Sequence, residues 1–284
     1  MSYTEPVEGG KTIRLAKVDP SEHGGIAKDE ALRKADELGV EMGQLHDLLF
    51  EAGTHGLLIV LQGRDTSGKD GMIRHLLKYV NAQSCRVVPF KVPTAEELAH
   101  DFLWRVHMHT PAHGSIALFN RSHYEDVLVA RVHKLVDESV WKRRYDHINA
   151  FEANLADAGT IIVKFYLHIS KDEQEKRLLQ REKETEKAWK LSVGDWQERE
   201  YWDDYTAAYE DALGRCSTKR APWFIVPANH KWYRDLAVTE RLVETLRPYR
   251  AEWLERLEKV GQTARKELDA YRKANKTKVR RASS

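Results

Sequence analysis

Residues 62–71 read QGRDTSGKDG, and the run from Gly63 to Lys69 fits G-x-x-x-x-G-K. Set between a strand and a helix, such a loop offers backbone N–H groups, a helix N-terminus and a lysine to phosphate oxygens. Gly63, Arg64, Thr66, Ser67, Gly68 and Lys69 are the candidate cradle. The same glycines would also serve a tight turn that binds nothing. Two carboxylates, Asp65 and Asp70, conflict with a simple anion cradle, and Asp70 stands where a Ser or Thr hydroxyl would hold a nucleotide's magnesium. A carboxylate ~4 Å from a phosphate charge is repelled by about 4 kcal/mol at an effective dielectric of 20. A divalent cation between the two anions reverses the sign, because hard cations take carboxylate and phosphate oxygens together. Asp65 and Asp70 are therefore read as ligands of Mg2+, with Mn2+ as a substitute ion. For Asp70 the competing reading is a first-turn acid that serves only its helix.

A second acidic cluster follows the segment SIALF, in NRSHYEDV at 120–127. Polar residues at the carboxyl end of a parallel strand are where such sheets place ligands. Asn120, Arg121, Glu125 and Asp126 are candidates there. Arg121 and Glu125 are four apart and would meet on a helix, while guanidinium is the preferred partner of phosphate. The plainer alternative is a capping box, with Ser122 at the cap and Glu125 at its third position. Further on, KRLLQREKETEKAWK at 176–190 puts Arg177 and Arg181 on one helical face, with Lys187 and Lys190 beyond. A basic flap of this kind, about 176–200, could cover a phosphate site and exclude water; it could equally be a solvated charged helix.

The elements that must position these residues alternate. Leu32, Leu38, Leu45, Leu48 and Leu49 recur at helical spacing across 29–51, and LLIVLQ then reads as a buried strand. A helix is expected over 69–80, a strand over 85–92, and a Thr-capped helix over 94–109. A strand at 115–120, a helix over 122–136, a helix ending near 157 and a strand at 160–169 come next. A charged helix begins at Ser170, PWFIVP at 222–227 is the last strand, and one long terminal helix closes the chain. Strands alternating with helices predict an α/β fold with a parallel sheet covered on both faces. The expected division is an N-terminal arm at 1–28, loosely ordered, a phosphate-loop domain at 29–250, and a C-terminal helix with a basic tail at 251–284.

Composition narrows the class. Hydrophobic residues make up 42% and charged residues 32% of 284, which fits a globular chain with a well-solvated surface. A formal net charge of +2 by itself implies no polyanionic partner, and no nucleic acid is expected. No apolar run approaches a bilayer's thickness, the first residues lack a signal-peptide pattern, and Cys85 and Cys216 form no CxxC pair. A cytoplasmic protein is expected. The histidines at 107, 109 and 113 do not make a zinc site by their spacing. The basic residues after Arg265 read as a solvated terminus, and the long terminal helix suggests self-association into a homo-oligomer.

Taken together, GRDTSGKDG, FNRSHYEDV, SKDEQEKRL and APWFIVPANHKWYRDL resemble the polyphosphate kinase 2 family, in order from about residue 30 to 247. The resemblance implies a P-loop kinase fold similar to thymidylate kinase, with a helical lid. It implies a magnesium-dependent transfer of phosphate between inorganic polyphosphate and ADP or AMP, with adenine nucleotides and also guanine nucleotides as candidate acceptors. Carried onto this chain, it makes Asp65 and Lys69 the catalytic pair of the loop, Arg121 a phosphate clamp, and Arg177 and Arg181 lid arginines. Many members end the third strand with Asp-Arg-Ser-Trp-Tyr; Asn120 and His123 with Glu125 and Asp126 resemble the subgroup acting on both nucleoside mono- and diphosphates. An ATP-dependent nucleoside monophosphate kinase on the same scaffold is the rival enzyme, and Asp70 in place of Ser or Thr argues against it. A nucleotide- or polyanion-binding protein without turnover is the third reading.

Overall fold

A computed structural model describes residues 3–183 and 193–282, with side chains described through residue 273. Five strands form one sheet: β1 (Gly56–Gln62), β2 (Cys85–Pro89), β3 (Ile116–Asn120), β4 (Thr160–His168) and β5 (Trp223–Pro227), in the order β2-β3-β1-β4-β5. Every pairing is parallel. β1 lies at the centre and all seven of its residues are buried, which is why GLLIVLQ lacks the alternation of a half-exposed strand. Apolar layers cover both faces. Leu57, Ile59 and Leu61 point into one, and Leu58 and Val60 into the other.

The long helices are α1 (Lys28–Ala52), α2 (Lys69–Leu76), α3 (Glu138–Asp157), α4 (Lys171–Lys183), α5 (Trp202–Cys216), α6 (Lys231–Leu246) and α7 (Arg250–Ala282). Because β1 and β3 are neighbours, the glycine loop after β1 and the 120–126 turn after β3 emerge side by side. Their crossovers leave in opposite directions across the sheet, the arrangement that opens a ligand crevice in parallel sheets.

Several expected helices are shorter or broken, each for a local reason. The 94–109 helix is two turns, Ala95–Leu98 and Trp104–His107. The first has the Thr94–Glu97 capping box. Between them the Asp101 carboxylate accepts from Leu103 N at 2.9 Å, offering the backbone an alternative to the helix. The 122–136 helix is a 3-10 turn, His123–Asp126, and a short α turn, Val129–Val132, with Lys134 in the left-handed region beyond it. The capping box expected at Ser122 is absent: Ser122 accepts from Tyr124 N, and the Glu125 side chain goes elsewhere. The terminal helix breaks at Arg247–Tyr249, where Pro248 cannot donate to the ladder. The α2 helix stops at Leu76 rather than Val80. The N-terminal arm is not loose. Pro6 bridges Phe224 at the edge of β5, Val7 N donates to Trp223 O at 2.8 Å, and Leu15 is buried.

Candidate active site

The glycine loop folds as its glycines require. Gly63 and Gly68 have φ of +149° and +102°, and a Cβ at Gly68 would overlap the Arg234 guanidinium. Thr66 is also left-handed, at φ 64°, a strain that persists only where its surroundings fix it. Lys69 Nζ donates to the carbonyls of Gly63 at 2.6 Å and Arg64 at 3.1 Å. Burial pushes the Lys69 pKa down to about 8, with Arg121 adding to the fall and Asp65, Glu125 and Asp70 opposing it. Among the described residues, the buried hydroxyls Thr66 Oγ1 and Ser67 Oγ have no hydrogen-bond partner. A buried polar group without a partner is costly, so unpaired hydroxyls in this loop fit a site for an oxygen-rich ligand.

The 120–126 turn faces the loop. Arg121, left-handed at φ 62°, donates to Asp65 Oδ1 at 2.6 Å and to Glu125 Oε2 at 3.0 Å. These carboxylates, Glu125 foremost, lift the guanidinium pKa further, so its charge is permanent. Asn120 donates to Asp70 Oδ1 at 2.9 Å. Gln62, at the end of β1, donates to Glu125 Oε1 at 3.0 Å and to Ser122 Oγ at 3.2 Å. It ties the two strand ends together.

Two cavities meet here. The narrower, about 320 Å3, is lined by Asp65, Thr66, Lys69, Asp70, Asn120 and Arg121 together with Arg74, Arg181, Lys231 and Arg234. The larger, about 1000 Å3, is lined by Phe90, Pro93, Val129, Leu135, Tyr205 and Tyr209 together with charged residues, Arg105, Glu125 and Glu198 among them. Asp65 and Arg121 line both. Asp65 and Asp70 share the narrow cavity, and among the described residues no group of three or more His, Cys, Asp or Glu could hold a metal by itself. This donor set fits a cation of the magnesium type, which takes one or two carboxylates and completes its shell with water and phosphate oxygens.

Not every expected site residue faces the ligand space freely. The Arg64 guanidinium donates to Trp202 O at 2.6 Å and Thr206 Oγ1 at 2.5 Å, and lies 3.7 Å over the Trp202 ring. It ties the loop to α5. Asp126 lines the larger cavity but is held by two arginines, accepting from Arg144 at 3.1 Å with Arg105 at 3.7 Å. Burial raises its pKa against the pull of these arginines. Arg177, expected as a lid residue, is buried and donates to the carbonyls of Thr66 (2.9 Å), Ala228 (2.7 Å) and Asn229 (2.9 Å). Its fork braces the back of the loop. Arg181 lines the narrow cavity and pairs with Asp195 at 3.0 Å. Burial, with Asp65 nearby, raises the Asp195 pKa. Lys187 and Lys190 lie outside the described residues.

Sequence reasoning passed over Gln62, Asp195 and Arg234. Arg234 is 3% exposed and donates to Gly68 O at 3.0 Å while pairing with Asp235. It lies in the segment APWFIVPANHKWYRDL, where a basic residue in the first turn of a helix is the signal that points to it.

A family model described as "Polyphosphate kinase 2 (PPK2)" matches residues 25–252. An AMP/ADP-polyphosphate phosphotransferase of Meiothermus ruber is 49% identical over 236 residues, 82% of this chain and 88% of that one. An ADP-polyphosphate phosphotransferase of Rhodopseudomonas palustris is 44% identical over 242 residues, 81% and 83% of the two chains. The crystal structure of polyphosphate kinase 2 from Arthrobacter aurescens TC1 superposes with a TM-score of 0.81 at 41% identity, covering 87% of this chain and 92% of that one. With the strand order, the glycine loop and a match of this extent in agreement, the chain belongs to the polyphosphate kinase 2 family.

Proposed function

We propose that this protein moves the terminal phosphate of inorganic polyphosphate onto AMP and ADP, and in reverse from ATP. The observation that carries this reading is the pair of cavities sharing Asp65 and Arg121. The narrow, cation-lined one suits a chain of phosphates. The larger one, with aromatic and aliphatic walls, suits a nucleoside, and its dimensions fall within the range of small-molecule sites. Donor and acceptor phosphates would then meet at the shared wall. The attacking phosphate oxygen is already ionised, so no strong base is required, and positioning with charge neutralisation carries the rate.

In this scheme Lys69 and Arg121 neutralise charge on the transferring group. Glu125 and Gln62 hold Arg121 in place, and Arg181 closes over the phosphates from α4. Asp65 and Asp70 would hold Mg2+, which would supply neutralisation of phosphate charge. Two cysteines without a disulfide fit a reducing, cytoplasmic setting; among the described residues no helix is long and apolar enough to cross a membrane.

The test is purified protein with Mg2+, polyphosphate and either AMP or ADP, with GMP and GDP in parallel. Formation of ADP from AMP and of ATP from ADP is expected. Activity only with ATP plus a monophosphate, and none with polyphosphate, would mean the rival nucleotide kinase.

Self-association belongs to the same proposal. On α7, Val260, Leu268 and Tyr271 share the helical face that buries Trp253 and packs Leu257, yet are 51%, 47% and 67% exposed. A Leu268→Glu/Tyr271→Glu variant is expected to have a lower mass by light scattering than the parent protein, with kcat unchanged. A parent that is already monomeric, or a variant of undiminished mass, removes this part of the reading.

A further inference from the structure

Beneath the reacting centre lies a buried ion pair that the scheme above does not use. Lys164, on β4, and Glu152, on α3, are 0% and 1% exposed. Lys164 Nζ donates to Glu152 Oε2 at 2.5 Å, Tyr124 Oη at 2.8 Å and Cys216 O at 2.7 Å, so all three ammonium protons are used. The other Glu152 oxygen accepts from Tyr124 Oη at 2.9 Å and meets His123 Nε2 at 3.1 Å. Burying two charges costs several kcal/mol of desolvation, and a well-packed apolar pair of the same size is often as stable. Stability alone is therefore a poor reason for charge here.

Position supplies a better one. His123 and Tyr124 are the middle of the turn whose flanks are Arg121 and Glu125. One side of this turn faces Asp65; the other is pinned to Glu152 and Lys164. Arg121 is held at φ 62°, a conformation that a non-glycine residue keeps only when its neighbours enforce it. Hydrogen bonds to charged partners are directional and strong in a dry interior, which is what fixing a strained turn demands.

We propose that Lys164 and Glu152 are positioning residues: acting through His123 and Tyr124, they fix the 120–126 turn and thereby place Arg121 and Glu125 against Asp65. This rests on the reading of Arg121 as part of the reacting centre, which the parent protein's activity with polyphosphate tests separately.

The experiment is a Glu152→Gln/Lys164→Met double variant, in which neither charge is left alone in the interior. The expected result is a melting temperature near that of the parent, KM values for ADP and polyphosphate within about twofold, and kcat lowered about tenfold or more, as small misplacement at a reacting centre does. A folded double variant with parental kcat, or one whose defect lies in KM alone, overturns the proposal. Should that variant fail to fold, Tyr124→Phe decides. It removes a single hydroxyl between turn and ion pair, and is expected to lower kcat several-fold with little change in melting temperature. Parental kcat in folded Tyr124→Phe protein overturns the proposal equally.

Discussion

Replacing Asp65 by Asn is expected to lower turnover with ADP and polyphosphate by about a thousandfold or more, while the protein stays folded. The amide keeps the shape of the carboxylate and can still accept from Arg121, now bonded at 2.6 Å. What it loses is the charge that, in the proposed scheme, draws a divalent cation, and that pairs with the guanidinium at the shared wall of the two cavities. Preorganised charge of this kind is worth about 10²–10³ in rate per group when a single donor is removed, and more where it orders both a cation and an arginine. Binding should move the other way. A carboxylate facing a phosphate chain is repulsive without a cation, so the variant should bind polyphosphate at least as well as the parent in the absence of Mg2+. Steady-state kinetics, a melting curve and equilibrium binding with and without Mg2+ check all three. A variant with kcat within tenfold of the parent would refute the role given to Asp65, whereas a parent protein that binds polyphosphate but does not turn over would point to a binding protein.

The loop and the sheet were legible in the sequence because their signals are local. LLIVL is apolar without alternation, since a central parallel strand is covered on both faces. The glycines announce backbone angles that side chains disfavour. The two acidic segments were placed beside one another by the sheet order alone, through the pairing of Leu61 with Asn120.

Side-chain direction was not legible, because it depends on partners far away in the chain. Arg64 and Arg121 look equally suited to phosphate on paper. Arg64 is claimed by Trp202 and Thr206, more than 130 residues later, and no local pattern reports that. Glu125 and Asp126 are adjacent, and on the expected helix both could have served. On the 3-10 turn they diverge, Glu125 to Arg121 and Asp126 to Arg144. Arg177 shows the same limit in another form: its helical face was foreseen, but its fork is taken by backbone carbonyls of the loop and of residues 228 and 229. Gln62 escaped notice because a glutamine ending an apolar strand reads as a boundary, not as a bridge between strand ends.

Lys69 gives the second large effect, and its protonation makes it testable by pH. Burial and the neighbouring Arg121 hold its pKa at about 8, against 10.5 for an ordinary lysine. Between those values the unfolded chain carries a proton that the folded one lacks, so this group makes the protein more stable as pH rises from about 8 towards 10.5; below about 8 its destabilisation is complete. A phosphate chain laid against the loop adds negative charge beside the ammonium and raises its pKa again. Above pH 8, binding should therefore take up a proton, and polyphosphate affinity should fall by up to about tenfold per pH unit. Calorimetry at pH 9 in two buffers of different ionisation enthalpy measures that uptake directly. Lys69→Met should abolish it, flatten the alkaline fall in affinity and lower kcat by about a hundredfold or more, because the positive charge that the proposed scheme places beside the transferring group is lost. Equal proton uptake by parent and variant would show that another group titrates there, since Arg121 stays charged throughout this range.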